Sequence, residues 1–196
     1  LGGFGSTPKV NATLFPTYCA VDTYRIFFPS NENLGPNISQ TIKFVADMQN
    51  PEGGFKIGSD IDQLISLYGG YSGYTSMLET LINKNQSTPE STFWAVHTLD
   101  VLGGLNSSTI DMGNLTSWLR SAQNADGGFG IITGFHSDLV STYYGLQSFP
   151  LIGQEPMSLT AVIEFVMGAQ SPDGPFGIIP MLSTYIDAGD FFIIAY

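Results

Sequence analysis

The sequence predicts an all-α fold of repeated helical hairpins arranged in two layers, and three observations carry that expectation. One phrase recurs: "ADMQNPEGGF" ends at Phe55, "SAQNADGGFG" at Gly130 and "MGAQSPDGPF" at Phe176, while a bare "LGGFG" opens the chain. Each of the three complete phrases follows a stretch with apolar residues on one face only, the pattern of a helix with one wet side. Each phrase also precedes, after a gap, a stretch apolar and aromatic nearly all round, the pattern of a helix buried on both sides. One-sided and all-round helices in alternation imply an outer ring facing water and an inner ring facing a core or cavity.

In chain order, "TYCAVDTYRIF" (17–27) is the first inner helix. The first outer helix, "NISQTIKFVADMQ" (37–49), puts Ile38, Ile42 and Val45 on one face, and Asn37 with Gln40 makes a capping-box-like pair. The repeat glycines Gly2, Gly53, Gly127 and Gly174 fall at steps of 51, 74 and 47 residues, so the long step holds roughly 27 extra residues, placed between Lys56 and Thr88. After this insertion (56–88) come the inner helix "STFWAVHTLDVLGGL" (91–105) and the outer helix "NLTSWLRSAQ" (114–123), which aligns Leu115, Trp118, Leu119 and Ala122. The last complete unit pairs "STYYGLQSFPLIG" (141–153) with "SLTAVIEFVMGAQ" (158–170), whose buried face is Leu159, Val162, Ile163 and Val166; "STYIDAGDFFIIAY" (183–196) begins another inner helix. Three inner helices open on Ser-Thr and the first on Thr17, so these hydroxyls are expected as N-caps. In the phrase, the glycines allow a tight reversal, the Phe plugs between layers, and Gln49, Gln123 and Gln170 bond open backbone at helix ends. Nothing in it matches a phosphate cradle.

The formal charge of −11, with six Lys and Arg, excludes a nucleic-acid partner and disfavours an anionic membrane surface. No run of about eighteen apolar residues is present, so no membrane span is expected. A lone cysteine, Cys19, excludes an internal disulfide and a Cys-based zinc cluster. Five Asn-x-Ser/Thr sequons, at Asn11, Asn37, Asn85, Asn106 and Asn114, exceed the chance expectation of about two and favour an extracellular or cell-surface location over a cytoplasmic one. Asn37 and Asn114 also sit where N-caps are expected. The length suits one domain, residues 1–196. The chain opens inside the repeated phrase and closes on "FFIIAY", which reads as a piece of a longer protein.

Gln-x-x-(Asp/Glu)-Gly-Gly-Phe, followed by a helix opening Ser/Thr-Thr-Tyr-x-x-Leu, resembles the repeat of protein prenyltransferase β-subunits. It is also similar to the glutamine-tryptophan motif of squalene–hopene cyclases and other class II terpene cyclases. The resemblance covers the chain as about three and a half units, the insertion apart, and implies an α/α toroid. It is far more specific for fold than for function.

The resemblance implies a zinc held by an Asp, a Cys two residues later and a His from another repeat, binding a thiolate substrate. In "DLVSTYYGL", Asp138 is in place but Ser141 stands where the His belongs, no Asp-x-Cys occurs, and Cys19 is displaced. His97, inside an inner helix, reads as a satisfied core histidine, and His136 as solvated or paired with Asp138. The terpene cyclases imply an Asp-x-Asp-Asp acid; "SDIDQL" offers Asp60 and Asp62, then Gln63, in what reads as a solvated loop. Asp60, Asp62 and Asp138 are thus the catalytic candidates. No other hydrolytic motif and no thioester string occurs. Tyr18, Trp94, Tyr143, Tyr144 and Tyr185 recur near inner-helix starts, where the resemblance implies a lipid cavity, although packing between layers also explains them. Tyr71 and Tyr74, in the insertion's "YGGYSGY", suit an adaptable contact loop. The expected function is a binding module for a hydrophobic molecule, a carbohydrate or a protein, needing no cofactor. The alternatives are an isoprenoid enzyme using zinc or magnesium, completed outside this chain, and a structural surface-layer module.

Overall fold

The structure, a computed structural model, describes residues 2–27, 37–67 and 83–177. It contains seven α-helices among those residues: α1 (Leu14–Phe27), α2 (Ile38–Ala46), α3 (Ile61–Leu67), α4 (Pro89–Val101), α5 (Met112–Ala122), α6 (Leu139–Leu151) and α7 (Leu159–Gly168). A short 3-10 turn, Gly58–Asp60, leads into α3. Backbone pairing outside the helices is limited to isolated bridges, with no strand among the described residues. The inner helices α1, α4 and α6 pack side by side in chain order, and α2 lies against α4. Burial follows the two sequence patterns in α4 and α5 but not throughout: α7 buries Val162 and Phe165 while the expected Leu159 and Ile163 are exposed, and α1 buries only Leu14, Thr17 and Val21. Every residue of α4 from Pro89 to Val96 is buried, whereas α5 buries Leu115, Trp118, Leu119 and Ala122 and leaves its other face wet. The last inner segment predicted, 183–196, lies outside the described residues.

The repeated phrase is the joint between neighbouring repeats. Gln49 Nε2 donates to Gly53 O (3.0 Å) and Asp111 O (3.1 Å), and its Oε1 accepts from Asp111 N (2.9 Å). One side chain thereby closes its own turn and grips the N-cap residue of the next outer helix. Gln123 repeats the device, donating to Gly127 O (3.0 Å) and accepting from Met157 N (2.7 Å) just before α7. Gln170 closes its own turn on Gly174 O at 3.0 Å. Gly53 and Gly127 have φ of 110° and 90°, in the region that favours glycine. A Cβ on Gly53 would stand 2.1 Å from the carbonyl carbon of Asn114, and one on Gly127 would stand 2.2 Å from that of Ala161, so neighbouring backbones touch there. Phe55 and Phe129 are fully buried behind their glycines, as the plug between layers requires.

Helix starts depart from expectation. Thr88 caps α4 and Asp138 caps α6, three residues before the expected Ser91 and Ser141. The serines instead occupy the third helical position, and Ser91 completes a capping box with Thr88. The physical reason is that the Ser91 hydroxyl is claimed elsewhere, donating to Phe55 O at 2.6 Å, while Pro89 suits the first turn. α1 likewise starts at Leu14 rather than Thr17. Thr17 Oγ1 bonds back to Thr13 O at 2.6 Å and receives Phe4 N at 2.9 Å. Asn37 makes no side-chain cap, and its carbonyl accepts from both the N and the Oγ1 of Thr41. Asn114 is not a cap either: Asp111 is, and the Asn114 amide donates to Pro51 O across the joint at 3.1 Å.

The excursion after Phe55 leaves and returns at one place. Ile57 N donates to Gln86 O (2.9 Å) and Gly58 N to Lys84 O (2.8 Å). Asn50 Nδ2 donates to Ser87 Oγ, which donates to Glu52, both at 2.8 Å. Asn124, Ser137 and Asp126 repeat that bracket in the next unit at 2.9 and 2.8 Å.

Gly53→Ala is expected to lower the unfolding free energy by more than about 3 kcal/mol, through the left-handed backbone and the clash together. Gly103→Ala, at φ 70° with nothing within 4 Å of its Cβ, is expected to cost only about 1 kcal/mol. Urea titration of both variants checks the contrast.

Candidate ligand-binding site

The inner helices bring aromatic side chains into one continuous wall. Tyr18 on α1 meets Phe93 on α4 edge-on at 5.8 Å, and Phe93 meets Tyr144 on α6 at 5.5 Å. Tyr144 is followed by the exposed ring of Tyr143 at 5.1 Å. His97 joins the wall one helical turn after Phe93, and its Nε2 lies 2.9 Å from Asp22 Oδ1. Asp22 also holds Arg25 at 2.9 Å. The pairing agrees with the expectation of a satisfied histidine. Burial first, and Asp22 second, push the Tyr18 hydroxyl up to about 12, so it stays a neutral donor.

Trp94 corrects an expectation. It is fully buried, with its ring 4.8 Å from Phe15 and 6.2 Å from Tyr144, and it packs behind the wall rather than facing a cavity. Its indole Nε1 has no partner at hydrogen-bond geometry, although it faces Tyr144 closely enough to favour that ionised hydroxyl. Phe93, the neighbouring residue, holds the wall position instead. The spacing to His97, one helical turn on, was the available signal. Tyr71, Tyr74 and Tyr185 lie outside the described residues.

The other flank of α1 borders a cleft of about 930 Å³. Its lining is mostly apolar, with Phe15, Pro16, Cys19, Ala20 and Phe27, and its polar groups include Asn11, Thr23, Asp60, Asp62 and Gln63. Phe15 belongs to both places, since its ring lies 6.3 Å from the wall residue Tyr18 and packs at a tilt against Trp94 behind it. Burial first, then Asp22 and Asp60, push the Cys19 thiol up, so it is an unactivated apolar contact.

Asp60 and Asp62 do not form the solvated loop pair that was expected. Asp60 is buried in the 3-10 turn and accepts from Phe15 N at 2.9 Å, satisfying an open donor at the start of α1. Asp62 is exposed in the first turn of α3. The pair is split because the turn must cap α1 with one acid, which directs the other outward.

Asp138 lies at the start of an inner helix, as the N-cap of α6. Its Oδ1 accepts from Ser141 N (2.8 Å), and the Ser141 hydroxyl lies 2.9 Å from Asp138 Oδ2 and 3.0 Å from Glu90 Oε1, all three residues being fully buried. Glu90 went unnoticed in the sequence because an acid in a first helical turn is ordinary. His136 is exposed, its ring 4.1 Å from Phe135, and does not approach as a third ligand. This set does not fit thiolate-activating zinc. Asp138 is engaged as a cap, a serine stands at the histidine position, and Cys19 lies on the far side of α1. Among the described residues no three His, Cys, Asp or Glu groups gather.

Paired helices in two layers, joined by glutamine-glycine turns around an aromatic wall, define an α/α toroid. The family described as "Prenyltransferase alpha-alpha toroid domain" matches residues 1–63 and 70–188, and the chain belongs to it. It is similar to geranylgeranyl transferase type-1 subunit beta of Arabidopsis thaliana, 28% identical over 166 residues, covering 80% of this chain and 37% of that protein. It is also similar to drimenyl diphosphate synthase of Streptantibioticus cattleyicolor, 38% identical over 61 residues, covering 31% of this chain and 12% of that protein. The chain therefore spans little more than a third of the first relative and about an eighth of the second. No helix among the described residues is long and apolar enough to cross a membrane.

Burial raises the Asp60 carboxyl above its ordinary 3.8, against hydrogen bonds from Thr13, Phe15 and Leu14 that lower it. The folded state therefore holds this proton more tightly than the unfolded chain. Its contribution is largest below the ordinary carboxyl pKa and is lost as pH rises through the raised folded value. Asp60→Asn keeps an uncharged acceptor for Phe15 N, so its stability relative to the parent is expected to increase between pH 3 and 7, read by urea midpoints.

Proposed function

We propose that this chain is a binding module for a hydrophobic small molecule, at the cell surface or outside the cell, and that it works without zinc. The observation that carries the reading is Phe15. It joins the aromatic wall to a mostly apolar cleft within the size range of small-molecule sites, and burial of that surface by an apolar ligand supplies the driving force. The residues present position and exclude water; they do not activate a nucleophile. Carbohydrate and protein are the competing occupants, and the mostly apolar lining argues against the first.

The location rests on the sequons. Asn11, Asn37, Asn85, Asn106 and Asn114 are all exposed, as glycan attachment requires. A second reading, an isoprenoid enzyme completed by residues beyond this chain, is supported by its similarity to a geranylgeranyl transferase subunit and to a drimenyl diphosphate synthase. Turnover of a prenyl substrate dependent on zinc or magnesium would establish it and end the binding-module reading.

Phe15→Ala is expected to weaken binding of a twenty-carbon alcohol at least tenfold, the loss of about 1.5–3 kcal/mol of ring burial, while Cys19→Ser changes it less than threefold. Fluorescence titration measures both; equal affinities for Phe15→Ala and the parent would refute the site. Intact mass of the protein from its own cells, before and after a peptide-N-glycosidase, is expected to fall by whole glycans. An unchanged mass would remove the support for an extracellular location.

A further inference from the structure

The five sequons are not equal in the folded chain, and we infer that Asn106, in the turn between α4 and α5, is the one that carries an N-linked glycan, added to the folded protein. This rests on the reading that the chain lies at the cell surface or outside the cell, and it names the attachment site. Attachment joins the Asn side-chain nitrogen to a sugar, so that nitrogen and the hydroxyl two residues on must both be reachable in a surface loop. Three of the five hydroxyls are engaged elsewhere. The Thr13 side chain, two residues after Asn11, bonds Asp60. Ser87, which follows Asn85, is buried, accepts from Asn50 and donates to Glu52, both at 2.8 Å. Thr116, which follows Asn114, donates to Met112 O at 2.9 Å within α5, and the Asn114 amide itself donates to Pro51 O at 3.1 Å. The backbone of Asn114 also touches Gly53, so a sugar on this residue would have to part the joint. Asn37 immediately precedes α2, and Ser39 already lies in the first turn of that helix rather than in a loop.

Asn106 differs on each of these counts. It is exposed in the turn that leaves α4 at Val101 and enters α5 at Met112. Leu105 and Ile110 are buried on either side of it and hold the turn out from the core. The hydroxyls of Ser107 and Thr109 bond each other at 2.8 Å, and Ser108 between them is exposed. The side chains of Asn106 and Ser108 have no hydrogen-bond partner among the described residues. Asn106 also stands clear of the cleft that Asn11 borders, so a glycan there leaves the cleft open. The transfer uses a sugar activated as a diphosphate ester and supplied by a transferase. A bond forms between Asn106 Nδ2 and the anomeric carbon as the bond from that carbon to the diphosphate oxygen breaks. The amide nitrogen gives one proton to a base on the transferase, and the diphosphate leaves with the electron pair.

The test maps glycopeptides by mass spectrometry in the protein from its own cells, alongside Asn106→Gln and Ser108→Ala made in the same cells. The expected result is glycan on the peptide that holds Asn106, and loss of the whole glycan mass in both variants. Ser108→Ala keeps the asparagine, so its loss of glycan separates the sequon from any packing role of Asn106. A glycan on another sequon with Asn106 bare, or occupancy of Asn114 equal to that of Asn106, would overturn the inference and leave the extracellular location standing. No glycan on any sequon would sink the inference and the support for that location together.

Discussion

The grip of each phrase glutamine on two pieces of backbone is the constraint on which this structure depends. Gln49 holds the carbonyl of its own turn and both backbone polar groups of Asp111, the residue that caps the next outer helix. The glycine four residues on brings the two backbones into contact, so the amide reaches without a bridging water. A helical hairpin cannot bury its apolar face alone, and stacking on its neighbour supplies the missing surface. The glutamine sets the spacing at which that stacking occurs. It recurs at Gln123, which ties its own turn to the start of α7, while α1, α4 and α6 pack side by side and assemble the aromatic wall.

The same packing decides which polar side chains meet between the inner helices. A zinc site drawn from separate repeats requires side chains that meet only when the inner helices align. Here the helices align, but they bring together Glu90, Asp138 and Ser141. Their polar atoms serve the start of α6 and one another, giving a fully buried polar knot between α4 and α6. The open surface lies elsewhere, along α1, where the helix has the wall on one flank and the cleft on the other.

Much of the fold was legible in the sequence because its two signals are local. A one-sided or all-round apolar pattern reports burial where both neighbouring elements are in place, as in α4 and α5, but not for Leu159 and Ile163 of α7, and the phrase marks each reversal. Helix starts were less legible: Ser91 and Ser141 look like caps, yet their hydroxyls are recruited by Phe55 O and by Asp138 and Glu90. The site was legible only as a set of aromatic positions. Trp94 and Phe93 are adjacent and equally aromatic, and which of them faces the wall depends on helix rotation, set by contacts with α1 and α6.

By itself, the sequence determined the repeat, the two helix classes, the turn chemistry and the scarcity of cations, because these are properties of composition and of periodicity along one chain. Only the tertiary structure decided that Asp60 is a buried cap and Asp62 an exposed rim, that His97 is held by Asp22, and that Phe15 links wall to cleft. Each of those depends on the distance between residues on different elements. That distance follows from how α1, α4 and the turn before α3 pack, and no local pattern encodes it.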